Sequence, residues 1–210
     1  MTGDLNHSPD PGPARRGRGR RPAEQVRREI LDAAGEILLA EGMAAFTIER
    51  VAARSGASKV TLYKWWPSKG ALALDGYTHA VTEQLAFPDT GDIEADLRDQ
   101  LRSFVAVLRG PAGRAVAELV GQAQTDPELA AAFRAVYSGP RRALAVEALT
   151  RARQRGQIRA DVDPEIVVDQ LWGAGYHRLL IPDQPLTIDF TDALVRNLMS
   201  GIRVGAGEPA

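Results

Sequence analysis

The stretch that decides the fold is Thr47-Ile48-Glu49-Arg50-Val51-Ala52-Ala53-Arg54-Ser55-Gly56-Ala57-Ser58-Lys59-Val60-Thr61-Leu62-Tyr63-Lys64-Trp65-Trp66-Pro67-Ser68-Lys69. Thr47 stands where a hydroxyl can cap a helix by accepting from a first-turn N–H, and Glu49 follows in that turn, where a carboxylate complements the helix dipole. Ile48, Val51 and Ala52 supply a buried side, and Ser55-Gly56 ends the segment. Ser58 caps a second short helix carrying Val60, Leu62, Tyr63 and Trp66, which Pro67 stops and Ser68 restarts. Two short helices joined by a tight glycine-containing turn are expected. Leu62 and Trp66, four apart, share the inward face and leave Lys59, Val60, Tyr63 and Lys64 on the outward one.

A helix that enters the major groove has to be short, anchored by apolar residues on one side and polar on the other, with phosphate donors at its flanks. The segment from Ser58 to Lys69 meets these conditions. Lysine donates to guanine O6 and N7, while the Tyr63 ring and Val60 suit a thymine methyl, so Lys59, Val60, Tyr63 and Lys64 are the candidates for base edges. Thr47, Ser58, Thr61, Trp65 and Lys69 sit at helix starts or flanks as candidates for phosphate oxygens. The plainer readings are a core aromatic for Tyr63 and solvated lysines.

Upstream, Val26, Ile30, Ala33, Ala34, Ile37 and Leu38 recur at helical intervals from Ala23, with Gly42 at the expected C-cap. Residues 1–22 are rich in Pro, Gly and Arg with almost nothing to bury, the composition of a disordered arm. Arg15, Arg16, Arg18, Arg20 and Arg21 can lie along a narrow minor groove, or simply solubilise the tail. All three lysines of the chain, Lys59, Lys64 and Lys69, fall in the deciding stretch. Residues 1–69 carry 12 Lys/Arg against 8 Asp/Glu, or +4, which leaves −5 for residues 70–210 within the net charge of −1. The first third is the part suited to a polyanion.

Downstream, a fourth helix is expected from Ser68 to Leu85, then, after the turn Asp89 to Gly91, helices over Ile93 to Leu108, Arg114 to Thr125, Glu128 to Val136, Arg141 to Arg155, Pro164 to Leu180 and Phe190 to Arg203, with no strand between them. The fold class is therefore all-α. The breaks are Gly110-Pro111, Asp126-Pro127, Ser138-Gly139-Pro140, Gly156 and Asp163-Pro164; at Pro140 the pattern fits either a break or a kink. The last two helices are more apolar than one core-facing stripe requires, which suggests a partner.

The chain has no cysteine, which excludes disulfides, thiolate metal sites and a cysteine nucleophile. No apolar run approaches a membrane span, so a cytoplasmic protein with no membrane partner is expected. His79 and His177 lack a second ligand at metal-binding spacing, and neither metal nor cofactor is expected. Asp161, Asp163, Glu165 and Asp169 gather near a helix start, where they complement the dipole better than they make an acid/base pair.

With these residues in view, the segments Thr47 to Ala52 and Gly56 to Lys69 resemble the DNA-binding signature of the tetracycline-repressor (TetR) family over residues 23–72. The resemblance implies a homodimer of nine or more helices, with an N-terminal three-helix DNA-binding domain and a C-terminal domain holding a ligand pocket and a dimerising helix pair. Where the family commonly has His-Phe, this chain has Trp65-Trp66, which keeps the buried aromatic and alters its neighbour. The implied division is an arm over 1–22, a helix-turn-helix domain over 23–70, a ligand-binding and dimerisation domain over 71–204, and a tail over 205–210.

Phe104, Leu108, Val116, Leu119, Val120, Phe133, Tyr137, Trp172, Tyr176 and His177 are candidates to line the pocket, though each apolar one is more simply read as core. Leu171, Leu194, Leu198 and Ile202 are candidates for the dimer interface. The expected function is a regulator, most simply a repressor, that binds double-stranded operator DNA as a homodimer and is released by a small-molecule effector. A constitutive DNA-binding dimer is the alternative. An enzyme or carrier is the least supported, because no nucleophile, metal cluster or phosphate-binding loop is present.

Overall fold

The computed structural model describes residues 21–203. Arg15, Arg16, Arg18 and Arg20 of the expected arm, and the expected tail over 205–210, lie outside the described residues. Among the described residues ten α-helices follow in order: α1 Ala23–Glu41, α2 Ile48–Ser55, α3 Lys59–Trp65, α4 Lys69–Val81, α5 Ile93–Arg109, α6 Pro111–Ala123, α7 Pro127–Phe133, α8 Gly139–Gln154, α9 Pro164–Leu180 and α10 Ile188–Ile202. Among the described residues the only β-type pairing is an isolated bridge between Ile158 and Arg203.

Helix starts follow local side-chain chemistry. Thr47 Oγ1 accepts from Arg50 N at 3.2 Å, Ser58 Oγ from Thr61 N at 3.1 Å and Ser68 Oγ from Ala71 N at 3.2 Å, so each of the first turns loses an orphan donor. Gly56 turns the chain between α2 and α3 at φ 66°, a left-handed conformation glycine adopts without strain. Pro111, Pro127 and Pro164 open helices instead of breaking them, because a proline in the first turn forfeits an N–H that has no helical partner anyway. This moves the start of α6 upstream from the expected Arg114 to Pro111. The fourth helix is shorter than expected: it ends at Val81, and Glu83–Leu85 continues as a 3₁₀ turn.

The segment around Pro140 is neither a break nor a simple kink. Arg134–Ser138 forms a π turn that runs from α7 into α8, with Gly139 N–H donating to Arg134 O. A Cβ at position 139 would stand 2.5 Å from that carbonyl, so the Gly139-Pro140 pair creates the widened turn. The turn directs Tyr137 into the interior, where it is buried.

Helix α4 lies along α1 and also packs on α6 and α7, and so joins the N-terminal helices to the rest. The close approach depends on glycine: a Cβ on Gly76 would sit 2.7 Å from Ala34 Cβ. His79 Nε2 bonds Asp32 at 2.8 Å across the same contact, a satisfied structural histidine. Helix α6 holds the end of α1: Glu118 Oε2 accepts from Met43 N at 2.6 Å, and the Arg114 guanidinium donates to Leu39 O at 3.3 Å. Helix α10 packs on α5, pinned by two hydrogen bonds from Arg102 to Asp192 at 2.8 and 2.6 Å. No helix among the described residues is long and apolar enough to cross a membrane.

Candidate functional site: an exposed recognition helix and an aromatic cavity

Helix α3 presents two distinct faces. Leu62 and Trp66 are buried, while Val60 is 80% and Tyr63 55% exposed. Trp66 fastens the helix end: its Nε1 donates to Asp75 Oδ2 at 2.8 Å, Arg27 donates to the same oxygen at 3.0 Å, and the Arg27 guanidinium lies 5.5 Å from the Trp66 ring. Three helices, α1, α3 and α4, therefore meet at one indole.

Around the exposed face, Lys64 and Lys69 make no ion pair among the described residues, whereas Lys59 Nζ donates to Glu49 Oε1 at 2.8 Å. The Lys59 hydrogen bond holds the Glu49 carboxyl below its ordinary pKa, and the same bond raises that of Lys59. The hydroxyls of Thr47 and Ser58 accept as caps; that of Thr47 also donates to the Glu49 carboxylate, and Ser58 Oγ and Thr61 Oγ1 share a hydrogen bond at 2.9 Å. Trp65 is half-buried, edge-on to Trp66 at 5.7 Å between centroids, and its indole N–H has no hydrogen bond among the described residues. Arg21 is held by Glu29 and donates to Gly56 O at 3.5 Å, at the turn of the helix pair.

The second feature is a cavity of about 400 Å³ between α5, the π turn, α8 and α9. Phe104, Tyr137, Trp172 and Tyr176 of the expected pocket residues line it. Leu108, Val116 and Leu119 do not: they are buried in the core, and α6, which carries the last two, packs on α1 and α4. Val120 is half-buried against that core, and Phe133 stacks edge-on against Tyr137 at 5.3 Å, behind the wall. His177 is exposed and points away from the cavity lining.

Sequence reading missed the polar part of the wall, namely Arg134, Ser138, Arg141, Arg142 and Asp169. Val168, Asp169, Trp172, Gly173 and Tyr176 follow one face of α9 at intervals of three and four, a periodicity that would have added the first two once Trp172 was chosen. Arg142 is neutralised by Glu165 and Asp169, both at 2.5 Å, which accounts for two of the clustered carboxylates. Asp163 caps α9 and Asp161 pairs with Arg159.

The cavity reaches the N-terminal helices through aromatic contacts. Tyr137 packs edge-on against Tyr77 of α4 at 5.2 Å, while Phe104 and Tyr176 pack on each other at 5.4 Å within the lining itself. Burial drives the pKa of the Tyr77 and Tyr176 phenols far up, so both stay neutral.

On the expected dimer surface, Leu171 is wholly buried within its own protomer, because α9 turns that side toward α5 and α8, and it has nothing to offer a partner. Leu194, Leu198 and Ile202 are half-buried. The exposed apolar side chains of this region are Ile166, Leu180, Ile181 and Ile188, with exposures of 37 to 56%.

Comparison with known proteins gives a consistent result. A family model for bacterial regulatory proteins of the tetR family matches residues 30–75, and one for the tetracyclin repressor-like C-terminal domain matches residues 87–198. The HTH-type transcriptional regulator YdeS of Bacillus subtilis (strain 168) is 33% identical over 186 residues, covering 89% of this chain and 94% of that protein. The DNA-binding transcriptional repressor TetR of Mycobacteroides abscessus is 29% identical over 181 residues, 84% of this chain and 94% of that one. The crystal structure of the TetR family transcription regulator SCO0332 superimposes with a TM-score of 0.80 at 63% identity, covering 84% of this chain and 98% of that chain. An all-helical chain with a capped helix-turn-helix at its start, matched along both of its halves, belongs to the TetR family of DNA-binding transcriptional regulators.

Proposed function

We propose that this regulator acts as a dimeric repressor whose operator affinity is lowered by a small molecule occupying the cavity between α5, α8 and α9. The observation that carries the reading is the contact of Tyr137, a cavity wall residue, with Tyr77 in the middle of α4. A ligand that displaces Tyr137 moves α4, and α4 sets the position of α1 and the end of α3 through Gly76, Asp75 and Trp66. Because each half-site is read about a helical turn or a multiple away from the other, a small change in the separation of the two recognition helices removes much of the affinity. The volume of about 400 Å³ falls in the range of small-molecule sites. The sign of regulation is supported by the repressor from Mycobacteroides abscessus. The partner surface is assigned to Ile166, Leu180, Ile181 and Ile188 together with Leu194, Leu198 and Ile202, where α9 and α10 leave apolar side chains uncovered.

Lys59, Val60, Tyr63 and Lys64 are the proposed base-reading residues, with Thr47, Ser58, Thr61, Trp65 and Lys69 on phosphates. The Lys59–Glu49 pair competes with DNA for the ammonium. Glu49→Gln is therefore expected to raise operator affinity about two- to fivefold, the scale of releasing an exposed ion pair, as read by fluorescence anisotropy. Unchanged or weaker binding removes Lys59 from the contact set.

The cavity is tested with Gly173→Trp. A Cβ at Gly173 meets nothing within 4 Å, so the indole has room to enter the cavity that this residue lines. In a thermal-shift screen of small molecules, a compound at about a hundredfold excess over its Kd should raise the Tm of the native chain by roughly 5–10 °C, leave Gly173→Trp unmoved, and release the operator. Hits that stabilise both proteins equally place the site elsewhere; a screen without hits favours the constitutive dimer.

A further inference from the structure

The cavity wall carries an arginine that has no counter-ion among the described residues. Arg141, on the first turn of α8, is half-buried and lines the cavity beside Tyr137 and Tyr176. One of its five donors is used, by Leu85 O at 2.5 Å from Nη2. Its neighbouring ionisable groups are the phenols of Tyr137, Tyr176 and Tyr77, with no carboxylate among them, and burial lowers its pKa as expected for a cation lacking compensation. The contrast with Arg142, one residue on, is direct, since Glu165 and Asp169 hold that guanidinium at 2.5 Å each. Arg134, also in the wall, is exposed and makes no ion pair among the described residues. The lining therefore holds two arginines without an ion pair among the described residues, Arg134 and Arg141, beside Arg142, which Glu165 and Asp169 already neutralise.

A guanidinium kept partly out of water with free donors is costly unless something anionic meets it, and a planar fork matches a carboxylate through two parallel hydrogen bonds. We propose that the cavity selects small amphipathic carboxylates, with the apolar body between Phe104, Trp172 and Tyr176 and the carboxylate on Arg141. This rests on the reading of the cavity as the effector site. It also gives the ligand a second path to the N-terminal helices, because the guanidinium that meets the carboxylate shares with Gln100 the task of holding the Leu85 carbonyl at the end of the segment following α4.

The test is calorimetric titration of the full chain with two matched pairs of probes, 2-naphthoate against 2-naphthamide and decanoate against decanamide. At least one acid should bind about tenfold or more tightly than its amide, the scale of a hydrogen bond to a charged group. Arg141→Gln, which keeps a donor for Leu85 O, should bring the ratio to within about twofold of unity, and Arg141→Lys should restore part of it. Retained operator binding by Arg141→Gln shows that it is folded. Equal binding of acid and amide, a preference that survives Arg141→Gln, or no binding of either acid overturns the proposal. If binding is charge-blind yet abolished by Gly173→Trp, the effector cavity stands and only the carboxylate preference falls; if binding is unaffected by Gly173→Trp, both fall.

Discussion

Tyr63→Ala is expected to weaken specific operator binding at least about thirtyfold while leaving thermal stability and oligomeric state unchanged. The side chain is 55% exposed on the outward face of α3, so the folded protein loses little packing when it is truncated. A base-edge contact is worth about 1–3 kcal/mol, and a dimer loses it once in each half-site. Affinity for random duplex should fall much less, because that binding depends on phosphate contacts supplied by other residues. Anisotropy titrations with operator and with random DNA read both numbers. A Tyr63→Ala protein that still discriminates between them removes α3 from its assigned role.

Trp66→Ala should have the largest effect on stability, about 3–5 kcal/mol, the range for deleting a buried large aromatic. For a chain of this size the expected fall in Tm is roughly 6–20 °C. The indole fills the space between α1, α3 and α4 and supplies the Nε1 donor to Asp75. Trp66→Phe separates the two contributions: the ring largely persists and Asp75 keeps Arg27 at 3.0 Å, so a loss of about 1–2 kcal/mol is expected. Calorimetry of the two variants checks the order. If Trp66→Ala melts within a degree or two of the native chain, the indole is not the fastening point of the recognition helix.

The recognition helix and the cavity differ in how legible they are in the sequence. The helix-turn-helix is written locally: Thr47, Ser58 and Ser68 cap their own helices, Gly56 adopts the one positive φ between them, and the four-residue spacing of Leu62 and Trp66 gives the buried face. None of this needs knowledge of distant residues. The cavity is different. Phe104, Tyr137, Trp172 and Tyr176 have the same helical periodicity as Val116 and Leu119, and only the tertiary packing, in which α6 lies against α1, α4 and α5 while α5, the π turn, α8 and α9 surround the cavity, decides which line a space and which fill one.

Arg141 was invisible for a related reason. An arginine on a helix is ordinarily solvated, and its lack of a carboxylate depends on where Glu165 and Asp169 end up, which is on Arg142. Leu171 failed as an interface residue because the apolar excess of α9 is real but faces inward at that position and outward at Ile166 and Leu180. The π turn depends on the absence of a Cβ at Gly139, which would otherwise clash with Arg134 O, and no helical periodicity encodes that.

The most direct test of the account is selection of genomic DNA fragments on the immobilised protein, with random duplex as competitor at two salt concentrations. The prediction is a small set of fragments, retained against competitor at the higher salt, that share a pseudo-palindrome with half-sites about one helical turn or a multiple apart, and that Tyr63→Ala no longer retains. Retention no better than that of random DNA, or a selected set that Tyr63→Ala holds equally well, would contradict it.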